Sequence, residues 1–335
     1  MIERAGDVHN LVLAELGLPG RSHVANTNDF LEKLLLPRDP LLELMAEPDT
    51  QSTLNRLRKA IKTPLKLVEG AHNEKAMYNP LMEMGDSVPE RGDDKLMSKV
   101  RPDGVCVSHT ESSKPLSSVE EDDTSSVWWS RIETPVEVKP GSSETEKNAG
   151  IKQLAVYMRQ ALRTQPNRLF IFGLLLCRNE LRVCLCDRSG LVVTEDWINI
   201  TAPDDHEFQK LVQTIAGLSC LPMEHLGWDM SMCLLLKATH PGKWVFACDN
   251  AMANIDDIGK NVYSSEWAIS IPAEDPQQGA KWYLTRSAIS LTKAEVMVGR
   301  ATIVWQVKEL RQDMKGFLEA SCAHFVEMDS PKLTP

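Results

Sequence analysis

The stretch "RLFIFGLLLCRNELRVCLCDRSGLVVTEDWINI", from Arg168 to Ile200, constrains the fold more than any other part of the chain. Two apolar runs flank "RNE" and a third follows "DRSG". Short runs rich in Val, Leu, Ile and Phe, separated by tight polar turns, read as a three-strand meander. Just upstream, "IKQLAVYMRQALRT" carries apolar residues at helical spacing, with Ser143 or Thr145 as its N-cap. Downstream, "DDHEFQKLVQTIAGL" reads as another helix, ending at Gly217. Strands and helices so interleaved place the chain in the α/β (α+β) class.

The flanks are less regular. Between Asn28 and Leu67, helix-period leucines broken by Pro37, Pro40 and Pro48 predict short helices, and "NEKAMYNPLMEM" predicts one more, capped by Asn73. "VRPDGVCV" reads as a turn leading into a strand, and "VWWSRIETPVEVK" as a second strand. The Ser- and acid-rich residues 110–126 between them lack apolar periodicity and read as a solvated loop. "KWVFACD", "WAISIP" and "KWYLTR" predict further short strands. The expected organisation is a helical segment over 1–70, an α/β domain over 71–290 and an incomplete further lobe over 291–335.

A formal net charge of −10 gives no basic footprint, which disfavours nucleic acid as a partner. "MIERAGDVHN" has charge where a signal peptide needs an apolar core, and "LFIFGLLLC" is too short to span a bilayer. The reading is a soluble intracellular chain without a membrane partner, in which the "NIT" sequon at Asn199 has no use. The eight cysteines include no CxxC pair; Cys184 and Cys186 share one strand face and read as buried reduced thiols.

One group of charged residues stands out. Glu137 and Lys139 are two apart on a predicted strand, so they project from one face, and Asp103 opens the neighbouring strand. Taken singly, Asp103 suits a turn after Pro102, and Glu137 with Lys139 suits the polar side of a half-exposed strand. Gln153 and Tyr157 stand at i, i+4 on the predicted helix, which is also ordinary helix spacing. In order, however, the helix bearing Glu74, Pro102-Asp103, Glu137-x-Lys139 and Gln153-x-x-x-Tyr157 resemble the PD-(D/E)xK nuclease superfamily and the QxxxY motif of its RecB-like branch. That resemblance implies a mixed sheet flanked by helices. It also implies Mg²⁺ held by Asp103 and Glu137, with Glu74 acting through water. Lys139 would orient the attacking water and Gln153 would position Lys139 or a phosphate.

A second resemblance covers more of the chain. "EKAMYNPLMEM", "WWSRIETPVEVK", the segment from Gln153 through "LVVTE" and "HLGWD" at His225–Asp229 are similar to the fungal-type protein kinase (FunK) family upstream of its kinase core. "MVGRATIVWQV" resembles that family's reduced glycine loop, which implies a strand–turn–strand around Gly299 over ATP phosphates. A single glycine is weak evidence of such a loop, and it fits an ordinary hairpin equally.

Kinases need an H-R-D-type loop and a D-F-G-type metal aspartate, and the sequence holds neither. Lys308 and Lys315 lie too close to Gly299 to serve as the strand lysine of a kinase. The expectation is a truncated family member that does not bind ATP productively. It would act as a regulatory or interaction module with an unidentified protein partner. A metal-dependent nuclease, or kinase activity confined to a longer form, are the alternatives. Elsewhere the bland reading is preferred. "HEFQK" at His206 lacks the second histidine of a zincin, Asp187 and Arg188 suit a hairpin turn, and Trp128, Trp129, Trp228 and Trp282 suit core or interface anchors.

Overall fold

The structure, a computed structural model, describes residues 21–35, 102–107, 129, 132–202, 205–237, 244–247, 266–273, 280–290 and 303–310. The elements in chain order begin with β1 (Ser22–Ala25), α1 (Thr27–Leu34), β2 (Gly104–Val107), β3 (Ile132–Lys139) and α2 (Glu144–Thr164). They continue with β4 (Phe170–Cys177), β5 (Glu180–Asp187), β6 (Leu191–Thr194), β7 (Ile198–Asn199) and α3 (Asp205–Cys220). Five strands follow: β8 (Met232–Lys237), β9 (Trp244–Ala247), β10 (Trp267–Ile271), β11 (Lys281–Ser290) and β12 (Val304–Glu309).

The first seven strands form one mixed sheet in the order β1-β6-β5-β4-β3-β2, with β7 paired to β5. The predicted meander is present: β4 pairs antiparallel with β5, and β5 with β6. β3 and β4 run parallel, as the intervening helix α2 requires of a crossover connection. Ser143 caps α2 through a reciprocal box with Glu146, so both side chains satisfy orphan backbone N–H groups of the first turn.

Strand β4 explains why its sequence is almost wholly apolar: both of its faces are covered. Ile171, Leu175 and Cys177 enter a core with Leu154, Tyr157, Met158 and Ala161 of α2. Phe172, Leu174 and Leu176 enter a second core with Phe30, Leu31 and Leu35, against which Leu211 and Leu218 of α3 also pack. A sheet sandwiched in this way loses the period-2 polar signal that a half-exposed sheet shows. Cys184 and Cys186 are fully buried on the α2 side, as their shared face predicts, and both are free thiols. Burial pushes the Cys184 thiol up to about 12.

Three local expectations change. The segment 1–70 was read as helical, yet its described part also supplies a strand: β1 pairs parallel with β6 at the edge of the sheet, and α1 packs into the second core. Hydrogen bonds between Thr27 and Asp196 tie the two regions together. α3 continues past Gly217 to Cys220. Gly217 serves not as a stop but as a close-approach point, where a Cβ would stand 2.8 Å from the Leu35 Cβ. The strands from 232 onward form a sheet of their own, antiparallel in the order β12-β11-β10-β8-β9. Its hairpin β11–β12 spans residue 290, where the α/β domain was expected to end. Small clusters around Met232, Leu234 and Trp267, and around Ala268 and Trp282, form its core.

Among the described residues no helix is long and apolar enough to cross a membrane. The predicted helix from Asn73, the loop 110–126 and the chain between Leu36 and Arg101 lie outside the described residues.

Candidate functional site

Backbone register assembles the charged cluster. β2 and β3 are antiparallel with Gly104 opposite Val136, so one further step puts Asp103 opposite Glu137 and on the same face. Asp103 is anchored there: its Oδ2 accepts a hydrogen bond of 2.8 Å from the backbone N–H of Val138. Val136 and Val138 face the core containing α1, so Glu137 and Lys139 must face α2.

Their side chains meet the helix at Gln153 and Tyr157, one turn apart. Lys139 Nζ lies 2.5 Å from Glu137 Oε1 and donates to Gln153 Oε1 at 3.2 Å. Gln153 Nε2 in turn donates to the Tyr157 hydroxyl at 2.5 Å. The residues proposed from sequence spacing therefore converge: Asp103, Glu137, Lys139 and Gln153 occupy one place. Glu74 and Gly299 lie outside the described residues.

Electrostatically the site is tense. Glu137 has no exposed surface, and its carboxylate is ion-paired with Lys139 beside Asp103 and Tyr157. Burial, followed by the neighbouring Asp103 charge, pushes its carboxyl up to about 8, and Lys139 only partly offsets this. Burial and the Glu137 charge also hold the Tyr157 phenol well above its ordinary value. A buried carboxyl with a second carboxylate facing it attracts a cation, and here Lys139 supplies one. Sequence reading named Tyr157 in the Gln153-x-x-x-Tyr157 motif but gave it no role in the site. The signal was its i, i+4 spacing from Gln153, which any helix pair shares.

Other candidates resolve into architecture. Asp187 Oδ1 accepts from Ser189 N–H and Oγ–H and from Gly190 N–H, an Asx-type turn, while Arg188 donates to the Leu162 carbonyl at 2.8 Å. Beside His206, Glu207 pairs with Lys210 at 2.9 Å and accepts from Asn199 N–H. Trp129, Trp228 and Trp282 are buried core residues. β11 and β12 pair antiparallel, while the expected turn around Gly299 lies outside the described residues.

Among the described residues no group of three His, Cys, Asp or Glu side chains is arranged to hold a metal ion. The donors that do converge, Asp103 and Glu137, fit the manner in which Mg²⁺ is held by one or two carboxylates with water completing its shell. The fully buried Glu137 carboxyl beside Asp103 is the observation in favour of that fit.

A family model described as fungal protein kinase matches residues 108–322, which include Glu137, Lys139, Gln153 and the HLGWD segment; Asp103 lies just upstream of the match. No curated protein and no solved structure matches the chain.

Proposed function

The chain belongs to the fungal protein kinase family, and from that premise we propose that it serves as a non-catalytic regulatory or interaction module of the family. One observation carries the reading: no H-R-D-type loop and no D-F-G-type aspartate occurs anywhere in the sequence, beside a well-packed α/β unit. Phosphoryl transfer depends on those groups to accept the substrate proton and to hold the metal on the phosphates. The module's partner is a protein, since the acidic balance of the chain disfavours a polyanion. Incubating the purified chain with radiolabelled ATP, Mg²⁺ and a generic protein substrate should leave the substrate unlabelled. Labelling above a no-protein control removes the reading.

A second reading, a Mg²⁺-dependent nuclease or its metal-binding relic, is favoured by the convergence of Asp103, Glu137, Lys139 and Gln153. Asp103 and Glu137 would hold the ion, which polarises a phosphoryl oxygen and acidifies a bound water when present. Lys139, positioned by Gln153, would steady negative charge on the phosphoryl oxygens. Calorimetric Mn²⁺ titration and cleavage of labelled single- and double-stranded DNA test it. Saturable binding abolished in Asp103→Asn supports the relic, and cleavage lost in Lys139→Ala supports the nuclease. Neither binding nor cleavage retires both.

A further inference from the structure

The cation that faces Asp103 and Glu137 is held more firmly than an ion pair requires. Lys139 is the last residue of β3, and its backbone is pinned where its carbonyl accepts from Arg178 N–H at 2.8 Å. Its ammonium lies 2.5 Å from Glu137 Oε1 and donates to Gln153 Oε1 at 3.2 Å, so a strand and a helix both hold it. Only 13% of its side chain is exposed. A lysine at a protein surface ordinarily keeps its ammonium in water and lays only the stem on apolar groups. Here the head is turned inward.

The stem is fixed as well, because it passes over Gly150 of α2. A Cβ at Gly150 would stand 3.3 Å from Lys139 Cγ, and 2.6 and 3.3 Å from the two Leu175 methyl carbons. Glycine lowers helix propensity, so its place inside a long helix is explained by this close approach. Leu175 has little room to yield: it is fully buried and stands in register with Glu137. A reciprocal contact lies further along, where a Cβ at Gly173 of β4 would stand 2.7 Å from Met158 Sδ. The two glycines let α2 lie close on the sheet, and that closeness brings Gln153 within reach of the ammonium.

Anchors at both the head and the stem of a long, flexible side chain suit a fixed charge rather than a mobile one. A divalent ion between Asp103 and Glu137 would meet that ammonium at close range. It feels the repulsion about twice as strongly as a proton competing for the same oxygens, in proportion to its charge. Building on the metal-binding relic reading rather than the nuclease one, we propose that Lys139 is the resident cation of this cluster, seated on Gly150 and tethered by Gln153, and that it keeps divalent ions out until its side chain is displaced.

Calorimetric Mn²⁺ titrations of the full chain at one pH compare the unaltered protein with Lys139→Met, which keeps the stem, and Gly150→Ala, which keeps every charge. Lys139→Met should bind roughly tenfold more tightly or better, because the positive neighbour is gone. Gly150→Ala should bind more tightly by a smaller factor, because the stem has moved off its seat. Adding Asp103→Asn to Lys139→Met should abolish the gain. In the unaltered protein, acetylation of Lys139 by acetic anhydride, read by mass spectrometry, should rise as Mn²⁺ is added. The resident cation is wrong if the unaltered protein binds saturably and Lys139→Met binds no more tightly; the relic reading then survives alone. Parental affinity in Gly150→Ala overturns the seat. Absence of binding in every variant, Lys139→Met included, removes the relic reading and the resident cation together. Should Lys139→Met fail to fold, the labelling decides: Lys139 reactivity that stays constant as Mn²⁺ is added overturns the assignment.

Discussion

A carboxyl group without exposed surface has to be protonated, paired or compensated by dipoles, and Glu137 sits at the balance point of these outcomes. Its carboxyl is raised from an ordinary 4.5 to about 8, so between those values the folded protein holds a proton that the unfolded chain releases. Stability from this group is therefore full below about pH 4.5 and declines as pH rises toward about 8, by an amount on the order of a few kcal/mol. Urea midpoints measured across that interval should fall with pH, and Glu137→Gln should flatten the slope. A slope unchanged in Glu137→Gln places the titration elsewhere. Lys139 is the opposing charge. Lys139→Ala removes the cation that favours the ionised form, so it should cost on the order of 1 kcal/mol more at pH 9, where Glu137 of the parent is mostly ionised, than at pH 6, where Glu137 stays protonated. Equal losses at both pH values would show that Lys139 contributes packing rather than charge.

At the scale of elements, termini and contact points matter more than helix propensity. The Ser143–Glu146 box begins the helix that carries Gln153 and Tyr157, so Ser143→Ala should destabilise the fold by about 1 kcal/mol and Ser143→Gly by only a few tenths. Chemical denaturation separates the two, and equal effects would mean that the cap is idle. The α1–α3 contact rests on a missing side chain: Gly217→Val must push Leu35 away, at a cost of roughly 1–3 kcal/mol for overpacking. If that variant is as stable as its parent, the two helices are free to separate. Pro135 lies on β3 immediately before its pairing with β4 starts at Val136, so its missing N–H interrupts no hydrogen bond to β4.

The described molecule holds two sheets with separate clusters, a large one covered by helices on both faces and a smaller one built around Trp267 and Trp282. Denaturation should accordingly proceed in two steps, with the near-ultraviolet signal lost partly before the helical signal; a single coincident transition would show one cooperative unit. Much of this was legible in the sequence because it is local. The meander of β4 to β6, the helix after Gly141, the thiols on one strand face and the shared face of Glu137 and Lys139 all follow from periodicity and turn residues, which act within a few positions. Long-range pairing was not legible. The edge strand β1 lies more than a hundred and fifty residues from its partner β6, and nothing in "SHVA" names that partner. Neither could spacing show that the strands from β8 onward leave the first sheet, nor that Arg168 would be buried against carbonyls and an indole. By itself the sequence settled which groups point the same way along each strand and helix. Only tertiary register, fixed by packing on both faces of the sheet, decided that Asp103 stands opposite Glu137 and that Lys139 reaches Gln153.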